Sequence, residues 1–189
     1  MLKQIILASQ SPRRKQLLLQ AEIDFDVVVA NTDESYPTKL AISDVPNYIA
    51  MQKATVVAAM HPTHTIVAAD TVVVLNNNII GKPKNEADAI AILQQLSGQQ
   101  HQVITGVTII NGDTILEFSS TTLVQFNTLT IAQILHYVTH YKPYDKAGAY
   151  AIQEWIGAIG IASITGDYYN VMGLPIHKVV KALEELMNN

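Results

Sequence analysis

The sequence predicts an α/β protein built on a mixed sheet. Three observations lead there. Strand-like and helix-like stretches interleave along the chain. Two hairpin signals, Asn76-Asn77-Asn78 and Asn111-Gly112-Asp113, interrupt any wholly parallel plan. With 49% hydrophobic and 15% charged residues over 189 positions, the chain can bury a core as one domain, or as one domain with two lobes.

The elements follow in order. Ile5–Ala8 reads as a short buried strand. Ser11 then caps a helix whose first residue is Pro12, where a missing N–H costs nothing. Leu17, Leu18 and Ala21 form its apolar side. Phe25–Val29 is a second strand, and the polar, turn-rich residues 31–43 form a loop. A helix is predicted over Val45–Met60, with Ile49, Lys53, Val56 and Val57 near one face. Thr65–Leu75 is a long β-rich run. Asn85 caps the next helix with Asp88 as its capping-box partner, Ile92, Leu93 and Leu96 face its core, and Ser97-Gly98 ends it. Strands follow at 101–110 and 114–126, then a helix from Thr130 to His140. Residues 142–173 are rich in Gly, Tyr and Ala, with a strand at 159–165. A helix over Pro175–Met187 closes the chain.

Composition excludes several functions. The absence of cysteine removes disulfide scaffolds, zinc fingers, iron–sulfur sites and a thiol nucleophile, so hydrolytic chemistry falls to oxygen and nitrogen groups. A formal charge of −4, from 12 basic and 16 acidic residues, argues against a nucleic-acid partner. The apolar start, Met1 to Ala8, is too short for a signal-peptide core, and no run reaches the roughly 18 residues of a membrane span, so the expected location is the cytoplasm, with no membrane partner. Only two of the twelve basic residues are arginine, and they are adjacent: Arg13 and Arg14.

Several groups could carry chemistry. Ser9-Gln10-Ser11-Pro12-Arg13-Arg14 joins a strand to a helix N-terminus, where free N–H groups, two hydroxyls and a guanidinium fork suit phosphate oxygens. The bland alternative is an ordinary cap with two solvated arginines. Asp70 lies inside the apolar run Ile66–Leu75, and a carboxylate there must be paired, hydrogen-bonded or metal-bound. Gly81-Lys82-Pro83 fails as a P-loop, because Asn76 stands where that motif needs Gly and Pro83 where it needs Ser or Thr. It leaves Lys82 on a rigid turn. Lys53 lies between Ala50 and Ala54 and either snorkels or enters a cleft. Asp33-Glu34 offers hard oxygen ligands, or is a solvated acidic loop. His136 and His140, at i and i+4, lack a third ligand and read as surface or half-buried groups, as do His61 and His64. Around Asp145–Gln153, small residues permit close backbone approach, and the Gln153 amide can donate and accept as a base edge requires.

As an ordered set, these segments resemble the Maf family of nucleoside triphosphate pyrophosphatases. The resemblance runs through Leu7–Arg14, Asp33-Glu34, Lys53-Ala54, Ala69-Asp70-Thr71-Val72, Gly81-Lys82-Pro83, Thr105-Gly106-Val107, Asp145–Tyr150, Ile152-Gln153 and Asn170–Pro175. It implies a single Maf-like domain over 1–189, with a twisted mixed sheet flanked by helices and two lobes around a deep cleft. It also implies hydrolysis of a nucleoside triphosphate between the α and β phosphates, with a divalent cation, Mg²⁺ or Mn²⁺. Asp70 corresponds to the general base and, with Glu34, to the metal position. Ser9, Ser11, Arg13, Arg14, Lys53 and Lys82 correspond to phosphate-binding positions, although Arg14 can instead be a helix-surface or second-layer charge.

Arg13, Thr71 and Gln153 look like the specificity residues of the branch that prefers dTTP and UTP; another branch carries Trp, Gln and Glu there and acts on 7-methyl-GTP. One departure is Glu154-Trp155-Ile156, where many relatives are glycine-rich; Trp155 either stacks on a base or fills the lobe interface. The family suggests a homodimer, with the apolar, Tyr-rich segment 136–150 as one candidate interface. Two alternatives stand beside this reading: a pyrophosphatase for modified or purine nucleotides, and a non-catalytic nucleotide-binding regulator of cell division.

Overall fold

The computed structural model describes residues 4–29 and 32–188, so residues 1–3 of the apolar start and the first residue of the loop expected at 31–43 lie outside the description. The strands are β1 (Ile5–Leu7), β2 (Phe25–Val27), β3 (Thr65–Leu75), β4 (Asn78–Ile80), β5 (Gln100–Asn111), β6 (Thr114–Phe126) and β7 (Ile161–Thr165). The helices are α1 (Pro12–Gln20), α2 (Val45–Met60), α3 (Glu86–Leu96), α4 (Ile131–Tyr141), α5 (Trp155–Gly160), α6 (Tyr168–Val171) and α7 (Ile176–Asn188). Seven strands form a mixed sheet in the order β2-β1-β3-β5-β6-β7, with β4 on β3. β1 pairs in parallel with β2 and β3, whereas β4 on β3 and β7 on β6 are antiparallel.

The chain divides into two compact units. The first comprises Met1–Asp70, Thr105–Ser120 and Gly173–Asn189; the second comprises Thr71–Ile104 and Thr121–Met172. β3, β5 and β6 each contribute residues to both.

In the first unit, Ile6 and Ala8 of the β1 segment and Ile66 and Ala68 of β3 alternate onto one face, as the two-residue strand period requires. There they meet Ala54 and Val57 of α2 and Ile110 of β5. The buried stripe of α2 is Val45, Pro46, Ile49, Ala50, Ala54 and Val57. It is centred on the alanine side of the helix, so Val56, expected on the apolar face, lies at its edge and is 40% exposed. Gly106 of β5 meets the start of α2: a Cβ there would overlap the backbone of Asn47.

In the second unit, β3 turns into β4 through Asn76 and Asn77, both at positive φ (48° and 61°), as a two-residue primed hairpin demands. Asn85 caps α3 by accepting from the Asp88 N–H at 3.0 Å. The reciprocal half of the expected capping box is absent, because the Asp88 carboxylate accepts from the Lys84 N–H at 2.9 Å instead. A complete box occurs at Thr130 and Gln133, which starts α4.

Two stretches depart from expectation. The strand expected at Phe25–Val29 ends at Val27, although the Val28 N–H still donates to the Leu7 carbonyl at 3.2 Å. The strand expected at 159–165 begins at Ile161, because Trp155–Gly160 forms the short helix α5. Among the described residues, no helix is long and apolar enough to cross a membrane.

Candidate functional site

β3 is buried along its length except at Asp70 and Thr71, which are half-buried. Asp70 is therefore the single charged side chain in an otherwise largely apolar strand. Its partner comes from α2. Lys53 lies near the middle of that helix's apolar stripe, flanked by Ala50 and Ala54, whose small side chains leave room for its stem. Its Nζ reaches Asp70 Oδ1 at 2.8 Å and Glu34 Oε1 at 2.8 Å. The Lys53 and Asp70 side chains are 12% and 14% exposed, whereas Glu34 is 49% exposed. One ammonium thus stands between two carboxylates, a half-buried one and a solvent-facing one.

The loop that delivers Glu34 is shaped by its neighbour. Asp33 accepts from the Ser35 N–H at 3.1 Å and the Ser35 hydroxyl at 3.0 Å, a local turn that uses the Asp33 carboxylate for folding. The acidic pair thus divides its roles, Asp33 shaping the loop and Glu34 meeting Lys53.

The Ser9–Arg14 segment forms the start of α1 as expected. Ser11 is the N-cap, accepting from the Arg14 N–H at 3.5 Å, with Pro12 in the first turn. The Ser11 N–H donates to Ser9 Oγ at 3.2 Å. The two arginines differ in place. Arg13 is half-buried, while Arg14 is buried. The Arg14 Nε donates to the Gly173 carbonyl at 2.8 Å and its Nη1 to Ser9 Oγ at 3.1 Å. Arg14 is therefore no surface charge. It stands at i, i+3 and i+4 with Leu17 and Leu18, on the buried face of α1.

Burial lowers the Arg14 pKa, the neighbouring Asp70 raises it, Arg13 lowers it and Glu34 raises it. The same guanidinium therefore lies within the field of both carboxylates. In the first unit the structure brings together Ser9, Ser11 and Arg14 by hydrogen bonds, and Glu34, Lys53 and Asp70 by ion pairs.

The second unit carries Thr71, Lys82 and Gln153. Lys82 is exposed on the turn after β4. That turn is held by the Gly148 N–H, which donates to the Gly81 carbonyl at 3.1 Å. Gly148 has φ +71°, and a Cβ there would stand 3.0 Å from the Val73 side chain, so both the conformation and the space require glycine. Gln153 is exposed between the buried Ile152 and the half-buried Glu154. Trp155 packs on α4, its ring 4.7 Å from that of His136. His136 and His140 are exposed, as expected, with rings 4.3 Å apart. Among the described residues, no group of three or more His, Cys, Asp or Glu side chains could by itself hold a metal ion.

Sequence reasoning missed several buried polar groups in the second unit. His101 and Tyr150 are buried and hydrogen-bonded at 2.8 Å, with Phe126 edge-on to both rings. Burial lowers the His101 pKa to about 4 and raises that of Tyr150. Asn170, the first residue of the Asn170–Pro175 motif, is fully buried, donating to the Val103 carbonyl and to Thr122 Oγ1 at 3.0 Å each. Lys146 is also buried, 2.8 Å from Asp145 Oδ1 and 3.5 Å from Glu154 Oε1. The signal available for these groups was their polarity in otherwise apolar or small-residue stretches.

Comparison with known proteins fits this arrangement. The chain is 47% identical to a dTTP/UTP pyrophosphatase of Cytophaga hutchinsonii, over 97% of this chain and 84% of that protein. It is 45% identical to a Bacillus cereus protein of the same name, over 97% of this chain and 96% of that protein. Among solved structures, a HAM1 protein from Coxiella burnetii shares the fold, with a TM-score of 0.53 at 18% identity, covering 98% of this chain and 100% of that one. A family model described as Maf-like protein matches residues 4–186. The chain belongs to the Maf family.

Proposed function

We propose that this chain is a nucleoside triphosphate pyrophosphatase that hydrolyses dTTP and UTP to the nucleoside monophosphate and pyrophosphate. The observation that carries the reading is the Glu34–Lys53–Asp70 group, in which a partly buried carboxylate is held in a fixed direction by a lysine. The names of the relatives, dTTP/UTP pyrophosphatase, support the substrate class.

Hydrolysis requires water to attack the α phosphorus as the bond to the bridging oxygen of pyrophosphate breaks. Asp70 accepts the proton of that water, and Lys53 orients the carboxylate that receives it. The start of α1 offers the hydroxyl protons of Ser9 and Ser11 and the positive end of the helix dipole to phosphate oxygens, and Arg13 adds its guanidinium. Arg14 holds this segment in place through Ser9 and Gly173. Lys82 serves as a further phosphate cation, and Thr71 and Gln153 serve in base recognition.

A divalent cation, Mg²⁺ or Mn²⁺, belongs to this reading. The donor set fits one: the Glu34 and Asp70 oxygens are hard ligands, and both already flank a single positive charge, that of Lys53. A Mg²⁺ site commonly takes one or two carboxylates and completes its shell with phosphate oxygens and water. When bound, the cation would offset negative charge on the phosphates.

The decisive experiment is pyrophosphate release with Mg²⁺ across a panel of nucleotides. Wild-type chain is expected to favour dTTP and UTP. Asp70→Asn should lower turnover by about 10²-fold or more, the loss typical of removing a general base, without loss of folding by circular dichroism. Wild-type turnover in Asp70→Asn would overturn the assignment.

A further inference from the structure

The expected departure at Glu154 has a structural counterpart. Gln153 is the exposed residue of a segment whose neighbours are tied down on both sides. Before it, the Ala151 N–H donates to the Tyr137 hydroxyl at 3.2 Å, and Ile152 is buried. After it, the Glu154 carboxylate accepts the Tyr137 O–H through Oε2 and stands 3.5 Å from Lys146 Nζ through Oε1. One tyrosine hydroxyl therefore bonds to both Ala151 and Glu154, so Gln153 stands within a loop closed by that oxygen.

The anchors themselves are rigid. Tyr137 of α4 is fully buried, and Lys146 is 7% exposed and also paired with Asp145. The Glu154 N–H returns to the Ala151 carbonyl at 3.1 Å, and the Glu154 carbonyl accepts from the Gly157 N–H at 2.9 Å. Gly157 is required there, since a Cβ would overlap the Ile152 carbonyl oxygen. Such a closed, partly buried polar network restrains the backbone beyond packing alone, because moving Glu154 away would take from the buried Tyr137 hydroxyl its carboxylate acceptor.

We propose that Glu154 is a positioning residue: with Tyr137 and Lys146 it fixes the backbone at Gln153 and so sets how sharply the enzyme prefers pyrimidine triphosphates. The proposal rests on the assignment of Gln153 to base recognition. An amide rooted on a fixed backbone reaches fewer directions and so discriminates better between donor and acceptor patterns on a base than one on a loose loop, which shifts to suit either. Tyr137→Phe removes the shared hydroxyl and keeps the ring. Glu154→Ala removes the acceptor for both Tyr137 and Lys146. Glu154→Gln keeps an acceptor for the tyrosine.

The test measures kcat and KM for dTTP, UTP, ATP and GTP in these variants, with melting temperatures alongside. Tyr137→Phe and Glu154→Ala are each expected to lower kcat/KM for dTTP and UTP by about tenfold, chiefly through KM, and to change the purine values by less than about twofold. Glu154→Gln should restore most of the preference. In a Gln153→Ala background, Glu154→Ala should change the preference no further.

An equal loss on all four nucleotides, in step with a lower melting temperature, would show a structural role only and overturn the proposal. Should Glu154→Ala fail to fold, Tyr137→Phe and Glu154→Gln carry the comparison. The two layers are separable. If Gln153→Ala leaves the preference intact, the base-reading assignment is wrong and the proposal goes with it. If Gln153→Ala abolishes the preference while Glu154→Ala and Tyr137→Phe do not, only the positioning role is wrong.

Discussion

His101 shows how burial makes a single side chain report on pH. Its pKa in the folded chain is lowered to about 4 by desolvation, from 6.5 for an exposed histidine. Below pH 6.5 the unfolded chain takes up a proton that the folded chain refuses, so this contribution is complete above pH 6.5 and is lost as pH falls toward 4. Over that window it amounts to about 3 kcal/mol. Denaturant melts of the wild type and of His101→Gln across pH 7 to 4 should differ in slope, the variant lacking this part of the acid sensitivity. At the same scale, Arg14 and Asp70 were unequally legible. A carboxylate among valines and alanines announces itself, because its charge must be answered by pairing or hydrogen bonds. Arg14 did not, although its spacing to Leu17 and Leu18 already placed it on the buried face of α1. A guanidinium can be buried when its donors find a hydroxyl and a carbonyl; here the hydroxyl is the nearby Ser9, but the carbonyl, Gly173, is too distant in sequence to be read.

At the scale of elements, the meeting of β5 with α2 is a tight backbone approach beneath the helix that carries Lys53. Gly106→Ala would drive a methyl into the Asn47 backbone, so the helix that carries Lys53 must shift or tilt. Overpacking of this kind costs about 1–3 kcal/mol, and backbone overlap lies at the upper end. The variant should melt well below wild type and lose activity beyond its loss of stability; a wild-type melting temperature in thermal denaturation would contradict the packing. The long elements were readable because their pattern is strong: α2 and β3 have the bounds predicted for them, and the Asn76-Asn77 turn joins β3 to β4 as expected. The short helices α5 and α6 were not. Six residues of Trp155–Gly160, two of them glycine, carry too little periodicity to separate helix from strand. The Tyr137–Glu154–Lys146 network was unreadable for another reason: its members come from separate stretches whose approach is a property of the folded unit.

At the scale of the whole molecule, neither compact unit is a continuous stretch of chain. The segment 71–172 contains the whole of the second unit but also carries 105–120, which packs in the first. Expressed alone, that fragment would leave Ile110 without Ile6, Ala54 and Ile66, and Gly106 without α2. It is expected to aggregate or to lack cooperative melting by circular dichroism; a soluble fragment with a sharp transition would show that the second unit folds independently. Family and fold class were legible because the motifs keep their order along the chain, whereas this interleaving of segments leaves no mark in a linear pattern. The bond from Arg14 to Gly173 spans 159 residues, and this has a consequence for synthesis. At about 5 to 20 residues per second, translation takes roughly 8 to 32 s to cover that distance. Throughout that interval the guanidinium lacks the carbonyl it will be buried against, so the Arg14 side chain reaches its final place only when almost the whole chain exists. A message cut short before Gly173 would yield a product in which Arg14 lacks this carbonyl acceptor.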